Sequence, residues 1–212
     1  MSLVEAFPPR LHVKRDARRD AILDVAAECF MQTGYAAASM NLIAARVGGS
    51  KGTLYNHFRS KEELFAAVVQ RACLELRDQI VDAPNGLTTR ARLTWMARHL
   101  VAFLVRPQCL ALQRVIVGEG GRFPELGRLF YDAGPALVLE QVAQEIGRMM
   151  QAGELRQDKP ERAAEHLKVL AVAGLHPQRL WGVVEDPTPE TLDRQAQIAV
   201  DVFLRAYGAA SA

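Results

Sequence analysis

Hydrophobic residues recur with a helical period along most of this chain. After residue 15 the apolar positions fall at i, i+3, i+4, i+7 and i+8, which places them on one face of a helix. In the first helix that face carries Ile22, Val25, Ala26, Cys29 and Phe30. Similar stripes follow as far as residue 207, and no segment alternates as a β-strand does. The pattern therefore predicts an all-α protein of nine to ten helices.

Three short helices are predicted between residues 15 and 58. Gly34 ends the first, Ser39 caps the second, and the glycines at 48 and 49 stop it. The third begins at Ser50 and runs to Phe58. Two short helices joined by a tight turn are typical of a helix-turn-helix. The outward face of the third helix would then present Lys51, Thr53, Tyr55, Asn56 and His57.

A capping box starts a long fourth helix, because Ser60 and Glu63 can serve the free amides of its first turn. This helix ends before the turn at residues 84–86, the most plausible break in the chain by composition. Further helices are predicted at 88–105, 110–117, 124–131, 135–151, 161–175 and 189–207. We expect three parts: a flexible basic arm at 1–14, a helix-turn-helix domain at 15–60 and a helical domain at 61–212.

Charge and cysteine content narrow the function classes. The net charge of the 212 residues is +2, yet the first 61 carry nine basic and five acidic residues, an excess that suits a polyanionic partner. Three widely spaced cysteines argue against a disulfide framework and a Cys-x-x-Cys metal site, so no metal or cofactor is expected. An oxidation sensor at Cys109 stays open as an alternative. Without a secretion signal or a run of about 20 apolar residues, the sequence predicts a cytoplasmic protein with no membrane partner.

The stretch from Ser39 to Phe65 resembles the DNA-binding domain of the TetR family of bacterial repressors. Its string Leu-Tyr-x-His-Phe-x-Ser-Lys-Glu-x-Leu joins the third helix, a turn and the capped fourth helix in one register. The preceding helix also fits, with an Ile-Leu-x-x-Ala-x-x-x-Phe pattern before Gly34 and Tyr35. One departure is Gly49, where the family more often has an apolar residue.

The resemblance implies three kinds of DNA contact. Ser39 and Ser50 would hold phosphates at helix N-termini, where free amides favour anions. Thr53 and Asn56 would face the bases, and the remaining positions would bind phosphates or allow close approach to the duplex. The expected DNA-binding residues are therefore Ser39, Ser50, Lys51, Gly52, Thr53, Tyr55, Asn56, His57 and Lys61.

Some of these side chains have a second interpretation. Tyr55 and His57 can instead be half-buried packing residues with polar tips, and Arg18 can be ordinary solvated surface. In the DNA-binding interpretation, Arg18 together with Lys14 and Arg15 enters the minor groove or follows the backbone.

The C-terminal part is expected to bind an effector and to dimerise, since residues 118–126 are similar to a segment of the AcrR- and AefR-like branch. Aromatic and apolar side chains near helix breaks suggest a pocket for a hydrophobic or aromatic ligand, although each can also be ordinary core. The resemblance places the dimer contact on the helices at 135–151 and 161–175. The candidate ligand-binding residues are Trp95, Met96, His99, Phe103, Phe123, Phe130 and Tyr131.

These expectations combine into one function. The chain would be a homodimeric, sequence-specific transcriptional regulator that represses from a palindromic operator on double-stranded DNA and leaves it when a small-molecule effector binds. No catalytic constellation stands out, so we do not expect an enzyme. The alternative is a helical ligand-binding protein or small enzyme whose helix-turn-helix is only structural. The sequence does not separate repression from activation, since both use the same DNA contacts.

Overall fold

The computed structural model describes residues 17–48 and 51–209. The expected arm at 1–14 and the residues Gly49 and Ser50 lie outside this range. Eleven helical segments make up the regular structure of the described part. They are α1 (Ala17–Ala37), α2 (Met40–Val47), α3 (Lys51–His57), α4 (Lys61–Val81), α5 (Thr89–Leu104), α6 (Pro107–Glu119), α7 (Pro124–Ala133), α8 (Pro135–Gln151), α9 (Pro160–Val172), α10 (Leu175–Leu180) and α11 (Pro189–Tyr207).

Helices α1 to α3 form a small domain on the first turns of α4. Apolar faces of α1, α2 and α3 supply fully buried Phe30, Ile43 and Leu54, and α4 adds Phe65. Arg71 of α4 fastens the other end of α1, because its guanidinium donates to the Asp20 carbonyl at 3.0 Å and to the Asp24 carboxylate at 2.7 Å. The domain expected to bind DNA, which we call the DNA-binding domain, is therefore packed on α4 along the length of α1.

Helices α5 to α11 surround a second core. Helix α5 packs against α9 and α11, α8 packs against α4 and α9, and α6 lies on α1. The core between these helices holds Leu93, Val142, Ile146, Leu167 and Phe203, each almost fully buried. Because α4 also contacts α7 and α8, one helix belongs to both cores. We call the part from α5 to α11 the regulatory domain, after the role that the resemblance implies for it.

The all-helical prediction is confirmed, and several boundaries are corrected. Pro107, expected as a stop, begins α6, where a proline loses no hydrogen bond because the first-turn amide has no helical partner. The helix expected at 161–175 ends at Val172, and a break at Gly174 (φ 77°) leads into the six-residue α10. The helices expected at 135–151 and 189–207 are found at those bounds.

The predicted capping box at the start of α4 is present in altered form. The Ser60 hydroxyl accepts from the Glu63 amide at 3.1 Å, as expected. The Glu63 carboxylate, however, accepts from the Arg59 amide at 2.8 Å, one residue before the cap. Both contacts hold the turn between α3 and α4 in place.

Within the described ranges, no single helix is long and apolar enough to cross a membrane. Helices α5 and α6 reach that criterion only when taken together, and they meet at a bend of 66°.

Candidate nucleic-acid interface

Helix α3 has one buried side and one polar side. Leu54 is 2 % exposed and Phe58, just beyond the helix, is 1 % exposed, so these two side chains anchor α3 in the core of its domain. The opposite side presents Lys51, Gly52 and Asn56 to solvent, and Tyr55 is 47 % exposed. Thr53 and His57 are half-buried at the edges of this face. The predicted recognition residues of α3 therefore form one continuous polar surface.

The two ends of α2 are defined by Ser39 and Gly48. Ser39 is exposed and caps α2, because its hydroxyl oxygen accepts from the Leu42 amide at 3.2 Å. Gly48 ends α2 in the left-handed conformation, with φ 71° and ψ 39°, which glycine adopts without steric cost. Ser50, the second predicted phosphate anchor, lies outside the described residues. The guanidinium of Arg19 lies 5.0 Å from the centre of the Phe58 ring, so the start of α1 reaches the end of α3.

Lys61 has a structural role that the sequence did not indicate. Its ammonium group donates to the carbonyl oxygens of Tyr35 at 2.8 Å and Ala38 at 3.1 Å. The same nitrogen lies 4.2 Å from the centre of the Tyr35 ring. Lys61 thus links the first turn of α4 to the end of α1, and its expected contact with a DNA phosphate stays a prediction.

Tyr35 is the residue to which several elements converge. Its ring packs against Phe30 of α1, Phe65 of α4 and Phe123 before α7. The distances between the ring centres are 5.9, 5.3 and 6.2 Å, respectively. Its hydroxyl donates to the Glu62 carboxylate at 2.9 Å. Burial, helped by this hydrogen bond, raises the pKa of the Tyr35 hydroxyl, so the group stays protonated as a donor.

A contact between the two domains was also missed. The carboxylate of Glu119, at the end of α6, accepts from the amides of Tyr35 and Ala36, each at 2.7 Å. More than eighty residues separate these partners in sequence, so no local pattern signals the pair. Only the glycines around Glu119 hinted that the chain turns there.

The predicted effector residues have different surroundings in the structure. Met96 and Phe103 are core residues of α5, and the indole of Trp95 donates to the Gln79 carbonyl at 2.9 Å. His99 is bound to the Trp95 carbonyl at 2.8 Å, and Phe123 packs on Tyr35. Phe130 is half-buried on α7 and Tyr131 is 49 % exposed.

Two open grooves contain only one predicted effector residue each. A groove of about 680 Å³ between α8 and α9 has Tyr131 at its edge, and one of about 580 Å³ between α5 and α11 has Trp95. The assignment of an effector site to the seven side chains stays a prediction.

Cys109 takes part in a polar chain inside the regulatory domain. Gln113 donates to the Cys109 sulfur at 3.2 Å, and its carbonyl oxygen lies 2.8 Å from Nε2 of His176 on α10. Burial raises the pKa of the Cys109 thiol and lowers that of His176. A protonated thiol reacts slowly with oxidants, so the environment of Cys109 does not favour the alternative of an oxidation sensor. Across residues 17–48 and 51–209, no three His, Cys, Asp or Glu side chains come together as a metal site.

Comparison with known proteins decides the family. Residues 22–68 match the family described as bacterial regulatory proteins, tetR family, and residues 91–209 match the C-terminal domain of AefR-like transcriptional repressors. The chain belongs to the TetR family. This TetR-family chain is therefore a DNA-binding transcriptional regulator of the repressor type. The predicted DNA contacts of α3 stay a prediction.

Relatives of this TetR-family protein match at two scales. The transcriptional regulator UidR of Escherichia coli K12 is 30 % identical over 85 % of this chain and 87 % of its own length. The solved structure of the Flavonoid-responsive Regulator FrrA is 31 % identical, with a TM-score of 0.74 over 92 % of this chain and 98 % of that one. The transcriptional activator FasR of Mycolicibacterium smegmatis is 54 % identical, but over only 27 % of this chain and 26 % of FasR.

Proposed function

We propose that this TetR-family protein is a homodimeric repressor that binds a palindromic operator through α3 and leaves it when a small hydrophobic or aromatic ligand binds the regulatory domain. The observation that carries the proposal is the polar face of α3, held outward by buried Leu54 and Phe58. In this proposal the protein acts in the cytoplasm, where it binds DNA.

The chemistry of α3 suits both parts of DNA recognition. Lys51 supplies a cation, and Tyr55 a hydroxyl, for the phosphate backbone, which fixes the position of the protein without reading sequence. Asn56 supplies a side-chain amide, which can pair with the donor and acceptor edge of adenine in the major groove. Gly52 has no side chain between them and lets the helix approach the duplex closely.

The half-sites of a palindromic operator lie about 34–36 Å apart, so the dimer must hold its two α3 helices at that spacing. We place the dimer contact on the apolar outer face of α9 and α11, which we define by Val169, Ile198 and Val202, each 44 to 56 % exposed. The two helices run antiparallel, with Gln195 donating to carbonyls near the end of α9 and Tyr207 bound to His166. Val169 is therefore level with the exposed residues of α11.

This proposal replaces α8 by α11 in the expected dimer contact. The exposed positions of α8 are polar, namely Glu140, Gln144, Arg148 and Gln151. Burying them would require partners for their polar groups, whereas burial of branched apolar side chains is favourable without partners.

The dimer face is tested by light scattering on the purified protein. The wild type should have about twice the 23.4 kDa mass of one chain. The double variant Ile198→Glu/Val202→Glu should be monomeric, while Leu139→Glu in the groove of α8 should stay dimeric. If Leu139→Glu were monomeric and the double variant dimeric, the dimer contact would lie on α8 instead.

The DNA contact is tested by fluorescence anisotropy with duplexes from the region flanking the protein's own gene. Binding should weaken steeply with salt, because each phosphate contact releases counterions. Tyr55→Phe removes one hydroxyl and should weaken binding, whereas Tyr131→Phe makes the same change at a similarly exposed tyrosine on α7 and should not. If no flanking duplex bound in a salt-sensitive way, a helical ligand carrier or small enzyme would be the better assignment.

The class of effector is supported by the name of the relative FrrA, a flavonoid-responsive regulator. We therefore expect a flavonoid to lower the anisotropy of the protein–operator complex. Decanoate, a linear fatty acid without an aromatic ring, serves as the comparison. Release by decanoate but not by the flavonoid would overturn the aromatic class and keep the hydrophobic one. Release by neither would overturn the proposed ligand class.

A further inference from the structure

We infer that Glu119 is a positioning residue that joins the regulatory domain to the DNA-binding domain and fixes the placement of α3. The inference rests on the proposed DNA-binding function and adds to it a residue far from the DNA-contacting face. It begins from the two hydrogen bonds of 2.7 Å that the Glu119 carboxylate accepts from the amides of Tyr35 and Ala36.

These amides are available because α1 is broken one residue earlier. Gly34 has φ 79° and ψ 168°, which interrupts the helix and leaves the following amides without carbonyl partners in the preceding turn. A carboxylate that accepts from two adjacent amides makes charge-assisted bonds, which are stronger than neutral ones. Glu119 therefore binds the two backbone amides that the helix break at Gly34 leaves free.

Gly34 is also needed for the approach of the carboxylate. A β-carbon at this position would lie 2.5 Å from Oε1 of Glu119, closer than real atoms approach. The same residue thus supplies both the break in α1 and the space for its partner on α6.

The segment held by Glu119 is linked to α3 through the first turn of α4. On its other side, Lys61 binds the carbonyl oxygens of Tyr35 and Ala38, and Glu62 accepts from the Tyr35 hydroxyl. Lys61 and Glu62 begin α4, four residues after the last residue of α3. A displacement of Glu119 is therefore passed to α3 through one residue, Tyr35, and the first turn of α4.

The domains are also joined by helix α4 and by the packing of α6 and Phe123 on α1. The Glu119 contact and α4 act at different points. The continuous helix α4 sets the distance between the DNA-binding domain and the core of the regulatory domain. The Glu119 contact lies off this helix and therefore restricts rotation of the DNA-binding domain about it. Without Glu119, each DNA-binding domain of the proposed dimer has more orientations, and fewer of them fit a palindrome. Operator affinity then falls by the fraction of competent orientations that is lost.

Charge provides a control for this inference. Replacing Glu119 by alanine removes a negative charge near the DNA-binding domain, which by electrostatics alone would strengthen binding to DNA. Glu125 in the first turn of α7 is an exposed carboxylate whose field also reaches Tyr35. Glu125→Ala is therefore matched to Glu119→Ala in charge and in neighbourhood.

The experiment measures operator affinity by anisotropy for the wild type, Glu119→Ala, Glu119→Gln and Glu125→Ala. We expect Glu119→Ala to weaken binding about five- to tenfold, a size typical of coupling between distant sites. Glu119→Gln keeps one acceptor oxygen and should lose less, while Glu125→Ala should bind as tightly as the wild type or slightly better. Equal affinity of Glu119→Ala and Glu125→Ala would overturn the inference.

Amide exchange measured on the DNA-free protein separates this inference from the proposed function. In Glu119→Ala the peptide containing Tyr35 and Ala36 should exchange faster, and peptides of α9 and α11 should be unchanged. If the wild type bound no operator, the proposed function would fail while the exchange result still tested the contact. Uniformly faster exchange across the chain would show a general loss of stability and overturn the positioning role.

A second pair of variants tests the same contact from its other side. Gly34→Ala should weaken operator binding, because its β-carbon displaces the carboxylate and strains the backbone. Adding Glu119→Ala to Gly34→Ala should cause little further loss, since both changes remove one contact. Losses that multiply in the double variant would contradict the assignment.

Discussion

The DNA-binding domain and the regulatory domain differ in how directly their sequences specify their surfaces. In the DNA-binding domain, a few consecutive residues contain both the buried anchor and the exposed contact, as with Leu54 beside Tyr55. In the regulatory domain, the predicted effector residues are dispersed, since Met96 lies in the core and Tyr131 on the surface. A site built on one helix can be identified from its period, whereas a site shared by several helices cannot.

The largest effect that tests this difference is the loss of one buried leucine in each domain. Leu54→Ala and Leu167→Ala each remove a core side chain, and each should lower the free energy of unfolding by about 2–5 kcal/mol in thermal or denaturant unfolding. Only Leu54→Ala should abolish operator binding at a temperature where both variants are folded, because it removes the support of α3. Equal loss of binding in Leu167→Ala would mean that the two cores act as one.

A smaller effect distinguishes the two kinds of contact on α3. Asn56→Ala should cost about 1–3 kcal/mol of operator binding and relax the preference at one base pair. Lys51→Ala should weaken binding to all duplexes alike and lower the salt slope by about 1. Anisotropy titrations against the operator and a scrambled duplex at several salt concentrations measure both. A reversal of the two patterns would exchange the roles of these side chains.

In the regulatory domain, Trp95→Phe tests whether a predicted effector residue is structural. The change leaves the Gln79 carbonyl without its indole donor and should lower the free energy of unfolding by about 1–3 kcal/mol. The flavonoid concentration that releases half of the operator should stay the same. An altered ligand response at unchanged stability would identify Trp95 as part of the effector site.

The smallest effect compares two helix caps of the same type. Ser39→Ala removes the cap of α2 and Thr88→Ala removes the cap of α5, each of which accepts one first-turn amide. Each change should cost about 1 kcal/mol of stability. Ser39→Ala should also weaken operator binding if the hydroxyl holds a phosphate, and Thr88→Ala should not. Equal affinity in both variants would remove Ser39 from the interface.

Much of the fold could be predicted from the sequence because helices follow from local periodicity and end signals. The bounds of α8 and α11 agree with the pattern, since proline begins each of them and the apolar stripe is regular. Pro107 was interpreted wrongly because proline both stops one helix and starts another, and only the packing of α6 decides which. The six-residue α10 is too short to show a period.

The site was predictable to the extent that it lies on α3. The role of Lys61 toward two carbonyl oxygens was not, since its partners precede it by more than twenty residues and depend on where α1 breaks. Glu119 was missed for the same reason at a longer distance. Contacts that depend on how helices are placed have no signature in the periodicity of either helix.

The contact between Glu119 and the backbone after Gly34 has a consequence for chimeric regulators. Because α4 is continuous from Lys61 to Val81, a junction in the turn at residues 84–86 transfers the DNA-binding domain with an intact helix. The transferred piece nevertheless leaves Glu119 and Phe123 behind. A new sensor module joined there must supply its own acceptor for the amides of Tyr35 and Ala36 and an aromatic side chain against the Tyr35 ring. Whether a module is compatible is therefore decided by these contacts and not by the sequence of the junction.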